Sequence, residues 1–118
     1  MTYMLLIYSD EKAWSEEKIQ QCFADSTQLA HRLNEKGQFL ATSPLQPTSA
    51  ATSIRMRDGK RLVTDGPFAE TREQLGGYFL VNAKDLDEAI EIAGQIPAAR
   101  VGTVEIRPIV EIPGLPKF

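Results

Sequence analysis

The stretch "LVTDGPFAETREQLGGYFLV", Leu62 to Val81, joins two apolar runs through a loop dense in turn-forming residues. Asp65-Gly66-Pro67 open the loop and Gly76-Gly77 close it, and such residues punctuate a chain. Upstream, "ATSIRMRDGKRLVTDG" (51–66) centres on Asp58-Gly59, a two-residue turn signal between alternating runs. That turn places Arg57 opposite Lys60, Met56 opposite Arg61 and Ile54 opposite Val63. Downstream, Tyr78–Val81 is an unbroken apolar run, the pattern of a strand buried on both faces. A hairpin followed by a turn into a central strand fixes the middle of the fold.

The flanks supply the rest. "TYMLLIYS" (2–9) is a second strand without polar alternation. Ser15 is a helix N-cap, Glu16 and Glu17 favour the positive end of the helix dipole, and Gly37 is a C-cap. Between them Ile19, Cys22, Phe23, Ser26, Leu29, Ala30 and Leu33 form one stripe at helical spacing. "QFLATSPLQP" (38–47) starts as a strand and is stopped by Pro44 and Pro47. "KDLDEAIEIAGQIP" (84–97) is a second helix. Asp85 caps it, Glu88 completes a capping-box pattern, and Leu86, Ala89, Ile90, Ala93 and Ile96 are its stripe. "GTVEIRPIVEI" (102–112) is a last, alternating strand.

The order β-α-β-(hairpin)-β-α-β is α+β and ferredoxin-like, a βαββαβ chain with an inserted β-hairpin. Both helices then lie on one face of an antiparallel sheet. The two strands without alternation need cover on the other face as well, and a second copy of the chain supplies it. The expectation is a homodimer. Residues 1–112 form a single domain, and 113–118, with Pro113, Gly114 and Pro116, an irregular tail.

A net charge of −3 and a pI near 5.1 argue against a nucleic-acid surface as the main function. The basic cluster Arg55, Arg57, Lys60 and Arg61 reads as a solvated hairpin tip. Cys22 is the one cysteine, so there is no internal disulfide and no Cys-based metal motif, which fits a reducing compartment. With no signal-peptide pattern and no membrane-length apolar run, the expected location is cytoplasmic. No cofactor, metal, nucleic acid or membrane is expected as a partner.

Few residues are candidates for chemistry. His31, the only histidine, points well away from the apolar stripe of its helix and reads as a surface residue. Ser26 is the polar residue within that stripe. It either bonds back to the carbonyl one turn earlier or reaches a pocket. Cys22 reads as a core thiol. Asp65 shares the face of Val63 and Ile54, taken as the inward one. It either accepts bonds from its own loop or serves as a general base or ligand anchor. Gly76-Gly77 precedes a strand, so it is no helix-dipole anion site and allows a bend or a close approach.

"DGPFAETREQLGGYFLVNAKDLDEAIEIAGQIP…GTVEIRPI", with "YMLLIY" and "PLQP", closely resembles the YCII-related family in its DGPF-type branch. Arg72 stands where lysine is common. The resemblance implies a ferredoxin-like fold assembled as a dimeric α+β barrel. The wider family is similar to small enzymes, including a dehydrochlorinase acting on a chlorinated hydroxyquinol. Its YciI-type members carry a His-Asp pair, whose histidine would fall near Ser26 here. The DGPF branch is associated with extracytoplasmic-function sigma factors. The resulting expectation is a homodimer with a small organic ligand in a cleft between sheet and hairpin. Asp65 is the tentative base of a metal-independent lyase or isomerase step, with Ser26, Pro67, Phe68, Arg72 and Tyr78 around the ligand. The alternative is a non-catalytic ligand sensor or an accessory protein in sigma-factor-linked transcription.

Overall fold

The computed structural model describes residues 1–116. Its elements are β1 (Thr2–Ser9), α1 (Glu16–Glu35), β2 (Phe39–Pro44), β3 (Thr52–Arg57), β4 (Lys60–Asp65), β5 (Gln74–Asn82), α2 (Leu86–Gly94) and β6 (Thr103–Pro108). Four strands form an antiparallel sheet in the order β2-β5-β1-β6, and β3-β4 form a separate two-stranded sheet. The fold is α+β. β1 and β5, the two runs without polar alternation, are the central strands. β6 stops at Pro108, shorter than its sequence pattern predicts. Of the expected tail, Pro113 and Gly114 form a turn, while Lys117 and Phe118 lie outside the described residues.

Pairing on β1 sets the two faces. Leu5 sits opposite Phe79 on one side and Ile106 on the other, and Tyr3 opposite Val81. These side chains share one face, and Leu29 and Leu33 of α1 and Ala89, Ile92 and Ala93 of α2 join them in a single buried cluster. Both helices therefore cover the same face, as expected. The other face carries Met4, Leu6, Tyr8, Tyr78 and Leu80. Of these only Leu80 is buried, and none belongs to the core cluster.

Caps hold the helices where the sequence puts them. Ser15 Oγ accepts from the Lys18 amide at 3.2 Å, and Asp85 Oδ1 from the Glu88 amide at 2.9 Å. Glu88 Oε1 reaches back to the Lys84 amide, one residue before the cap.

Both expected stripes need correction. In α2 the buried residues are Ala89, Ile92 and Ala93, with Ile96 just beyond, whereas Leu86 and Ile90 are exposed. In α1 only Leu29 and Leu33 are fully buried; Ile19, Cys22 and Ser26 are half-buried and Phe23 is exposed. In α1 both fully buried residues lie in the C-terminal half, the part that joins the core cluster, and in α2 packing against the sheet selects Ile92 over Ile90.

Two glycines let strands approach closely. A Cβ on Gly77 would sit 3.1 Å from the Ser43 carbonyl oxygen and 3.3 Å from Pro44 Cα, so a side chain there would press β2 away from β5. The register slips beside it, from Ile7 opposite Gly77 to Tyr8 opposite Leu75, and Gly76 is left as the unmatched residue of a bulge. Both uses foreseen for the Gly-Gly pair, bend and close approach, occur. A Cβ on Gly102 would run into the Tyr8 carbonyl oxygen.

Candidate functional site

The hairpin register is the one the Asp58-Gly59 turn dictates. Ile54 pairs with Val63, Met56 with Arg61 and Arg57 with Lys60. Asp58 (φ +50°) and Gly59 (φ +72°) both have positive φ, as a type I′ turn requires. Asp65 pairs with Thr52, on the face of Ile54 and Val63, as expected.

That face does not point inward within one chain. Ile54 is 60% exposed, Val63 59% and Met56 58%, and Asp65 is exposed with them. Residues on both sides of the hairpin are largely exposed, so alternation along it does not distinguish a core face. Among the described residues the Asp65 carboxylate accepts no hydrogen bond, and other groups hold the loop that follows. The Gly66 amide donates to the Ala51 carbonyl at 2.7 Å, extending the hairpin ladder by one step. Ser53 Oγ donates to the Gly66 carbonyl at 2.8 Å. Gln74 Nε2 donates to the Thr71 carbonyl at 3.0 Å and the Ala69 carbonyl at 3.3 Å, and Thr71 Oγ1 to the Glu73 carbonyl at 2.7 Å. The loop-fixing use foreseen for Asp65 falls to Ser53, Thr71 and Gln74.

The other candidates divide among four places. Pro67 and Phe68 fold under the opposite side of the hairpin, where they line a cavity of about 220 Å³ with Ser53, Arg55, Leu62 and Thr64. Phe68 is 79% exposed there. The Arg72 side chain is exposed, with its Nε 3.8 Å from Asp10 Oδ2, a surface pair of little energetic weight. Tyr78 stands on the helix-free face of the sheet, opposite Leu6 on β1 and Ser43 on β2. Ser26 lies on α1 with its Oγ 4.0 Å from Cys22 Sγ. Among the described residues Ser26 makes no bond to the carbonyl one turn earlier; its neighbour Thr27 does, with its Oγ1 donating to the Phe23 carbonyl at 2.7 Å. Among the described residues, the candidates that share a cavity are Pro67 and Phe68.

Cys22 is half-buried rather than a core residue. Burial pushes its thiol above the ordinary value of 9.0; the contact with Ser26 works against this and the nearby Asp25 carboxylate adds to it. A thiol so placed is a weak nucleophile. His31 is exposed on α1, as its helical position predicts.

Sequence reasoning did not single out Trp14 or Glu11. Trp14 Nε1 donates to the Oγ of buried Ser9 at 2.9 Å, fastening the segment after β1 to the sheet end. Glu11 accepts from the Thr48 amide and hydroxyl, tying that segment to the loop after β2. No local pattern announces either, because each partner lies elsewhere in the chain or in another element.

A larger cavity, about 570 Å³, lies by the helix ends between Arg32, Lys36, Gln38, Lys84, Glu88 and Glu91, and none of the candidates above lines it. Its Glu88 is already engaged by Gln38 Nε2 at 2.9 Å and by the Lys84 amide. Among the described residues, no three or more His, Cys, Asp or Glu side chains are grouped to hold a metal ion, and no helix is long and apolar enough to cross a membrane.

Comparison with known proteins matches residues 1–113 to the YCII-related domain. An uncharacterised protein of Rhizobium meliloti (strain 1021) is 38% identical over 114 residues, which is 92% of this chain and 92% of that protein.

Proposed function

The chain belongs to the YCII-related family, and from that membership we propose a homodimeric, ferredoxin-like protein of its DGPF-type branch that binds a small organic ligand between sheet and hairpin. The observation that carries this reading is the helix-free face of the sheet. Met4, Leu6, Tyr8 and Tyr78 are half-buried there, Leu80 is buried, and none of them belongs to the core cluster. A sheet that is apolar on both faces requires cover on both. The cover proposed is a second copy packed sheet to sheet, as in a dimeric α+β barrel.

A ligand held against that face meets a mixed lining: apolar side chains for binding and a few polar groups for orientation. Tyr78 is one such group. Asp65 is the proposed reactive one, because its carboxylate is unpaired among the described residues and shares a face with apolar Ile54 and Val63. The chemistry we infer is proton transfer of lyase or isomerase type. Asp65 takes a proton from the ligand, and the electron pair left behind either expels a leaving group or is reprotonated at a neighbouring atom. Arg72 or Tyr78 orients the ligand. The groups involved are a carboxylate, a guanidinium and a phenol, so the step is written without a metal or cofactor.

Light scattering on the purified chain tests the assembly: the expected mass is about twice 13.1 kDa, and a stable monomer at micromolar concentration defeats it. A thermal-shift screen of small organic acids and phenols, repeated on Asp65→Asn, tests the site. A ligand that shifts both proteins but is turned over only by the wild type supports a base at Asp65. Equal binding with turnover by neither identifies a ligand sensor instead.

A further inference from the structure

We propose that the β3–β4 hairpin of each protomer lies across the helix-free sheet face of its partner, so that every ligand cleft is walled by two chains. The arm and Asp65 come from one protomer, and the sheet face with Tyr78 from the other. This rests on the homodimer reading above and adds to it which surfaces meet.

The arm cannot be at rest in water. A lone two-stranded hairpin is marginally stable at best. This one pairs only with itself and exposes Ile54, Met56 and Val63 on one side and Leu62 on the other. Among the described residues its own chain offers little cover: Pro67 and Phe68 line a cavity against the Leu62 side, and Phe68 is itself 79% exposed.

The surface to be hidden is large. A compact monomer of 13.1 kDa exposes about 6,400 Å², whereas this chain exposes 8621 Å². The excess of about 2,200 Å² exceeds the roughly 800 Å² per partner of an ordinary stable interface. Shape agrees: the radius of gyration is 16.0 Å, against about 13.5 Å for a compact chain of this length.

Charge selects the surface. The arm, residues 52–65, holds four of the chain's 13 basic side chains (Arg55, Arg57, Lys60 and Arg61) and two of its 16 acidic ones. It is net positive on a chain of net −3, so the remainder of each protomer is net −5. Two arms repel one another, whereas an arm and the partner's body attract. At the edge of the receiving face Glu105, 3.4 Å from the Tyr8 hydroxyl, is paired with Arg107 at 3.7 Å, so the attraction is that of the acidic body as a whole. Reach is sufficient. Six-residue strands extend about 20 Å, and a four-stranded sheet is about 14 Å across between its outer strands. A two-fold axis makes the exchange mutual and yields two equivalent clefts. It also explains why Asp65 and Tyr78 stand apart in one chain: each would face the other's counterpart across the interface.

The test places the photo-crosslinker p-benzoylphenylalanine at Met56 in the full-length chain. Mixed dimers of ¹⁵N-labelled and unlabelled protein are irradiated, after light scattering has established the mass. Inter-chain peptides joining residues 52–65 to 2–9 or 74–82 are the expected result. A dimer whose crosslinks join arm to arm, arm to α1, or Met56 to its own chain overturns the crossing arm while leaving the homodimer intact. A monomer overturns both. Independently, Met56→Asp is expected to raise the dimer dissociation constant at least tenfold with an unchanged circular dichroism spectrum, and an unaltered constant overturns the proposal.

Discussion

β1 and β4 have the same local credentials and opposite fates. Each is an antiparallel strand with aliphatic side chains, β4 in unbroken register with β3 and β1 in register with β5 up to the bulge after Ile7. Yet Leu5 on β1 is completely buried, while Val63 on β4 faces water. The difference is not in the strands but in what stands beside them. β1 has a strand on either side and two helices over one face; β4 has a single neighbour, no helix over either face, and only the Pro67-Phe68 turn beneath one side. Strand propensity is a local property and burial a tertiary one.

The sharpest way to break that comparison is to truncate both residues. Leu5→Ala removes a fully buried side chain between Phe79 and Ile106 and is expected to cost about 2–5 kcal/mol. Val63→Ala, measured by urea unfolding at concentrations below the dimer dissociation constant, is expected to change stability by less than about 0.5 kcal/mol. Its effect should appear instead in the dissociation constant. A Val63→Ala cost comparable to that of Leu5→Ala in the monomer would show that the arm packs on its own body.

Gly102→Ala comes next. The new methyl would meet the Tyr8 carbonyl oxygen, a backbone atom of the central strand that cannot swing aside. A loss of about 1–3 kcal/mol or more is expected, as for overpacked cores. Gly114→Ala, with open space around its Cβ position, has only its positive φ to strain and should cost about 1–2 kcal/mol at most. Reversal of that order in thermal unfolding would disprove the close approach of the chain before β6 to the end of β1.

These residues also mark where sequence stopped being readable. The bounds of β1, the Ser15 and Asp85 caps and the hairpin register rest on neighbours a few positions away, and all were legible. The α2 stripe was not. Ile90 and Ile92 are equally apolar and the helix is nine residues long, so two wheels fit; packing against the sheet chooses Ile92. Gly102 depends on a carbonyl more than ninety residues earlier. For Asp65 the register was legible but the sense of "inward" was not, because period-two alternation names two faces without saying which one meets protein. A candidate site divided between two sheets leaves no spacing signal in one sequence.

Within the loop after β4, Ser53→Ala and Asp65→Asn should separate scaffold from site. Ser53 Oγ holds the Gly66 carbonyl, and its loss is expected to cost about 1 kcal/mol. Asp65, exposed and without a hydrogen bond among the described residues, should cost less than about 0.5 kcal/mol. The inverse result in unfolding experiments would return Asp65 to the loop-fixing role.

The smallest effect tests the half-covered end of α1, intermediate between the two sheets. Burial dominates at Cys22 and favours the neutral thiol, Ser26 opposes this and Asp25 reinforces it. Alkylation by iodoacetamide should therefore follow a titration above 9.0. Asp25→Asn should move it down, and Ser26→Ala up. The sign for stability follows from the same shift. The folded chain holds the thiol proton more tightly than the unfolded chain, so this group's contribution is complete below 9.0 and fades as pH climbs through the folded value. Cys22→Ser should abolish that fade. An alkylation profile centred at or below 9.0 would mean that water reaches the thiol freely, and that the bare end of α1 is as open as the hairpin.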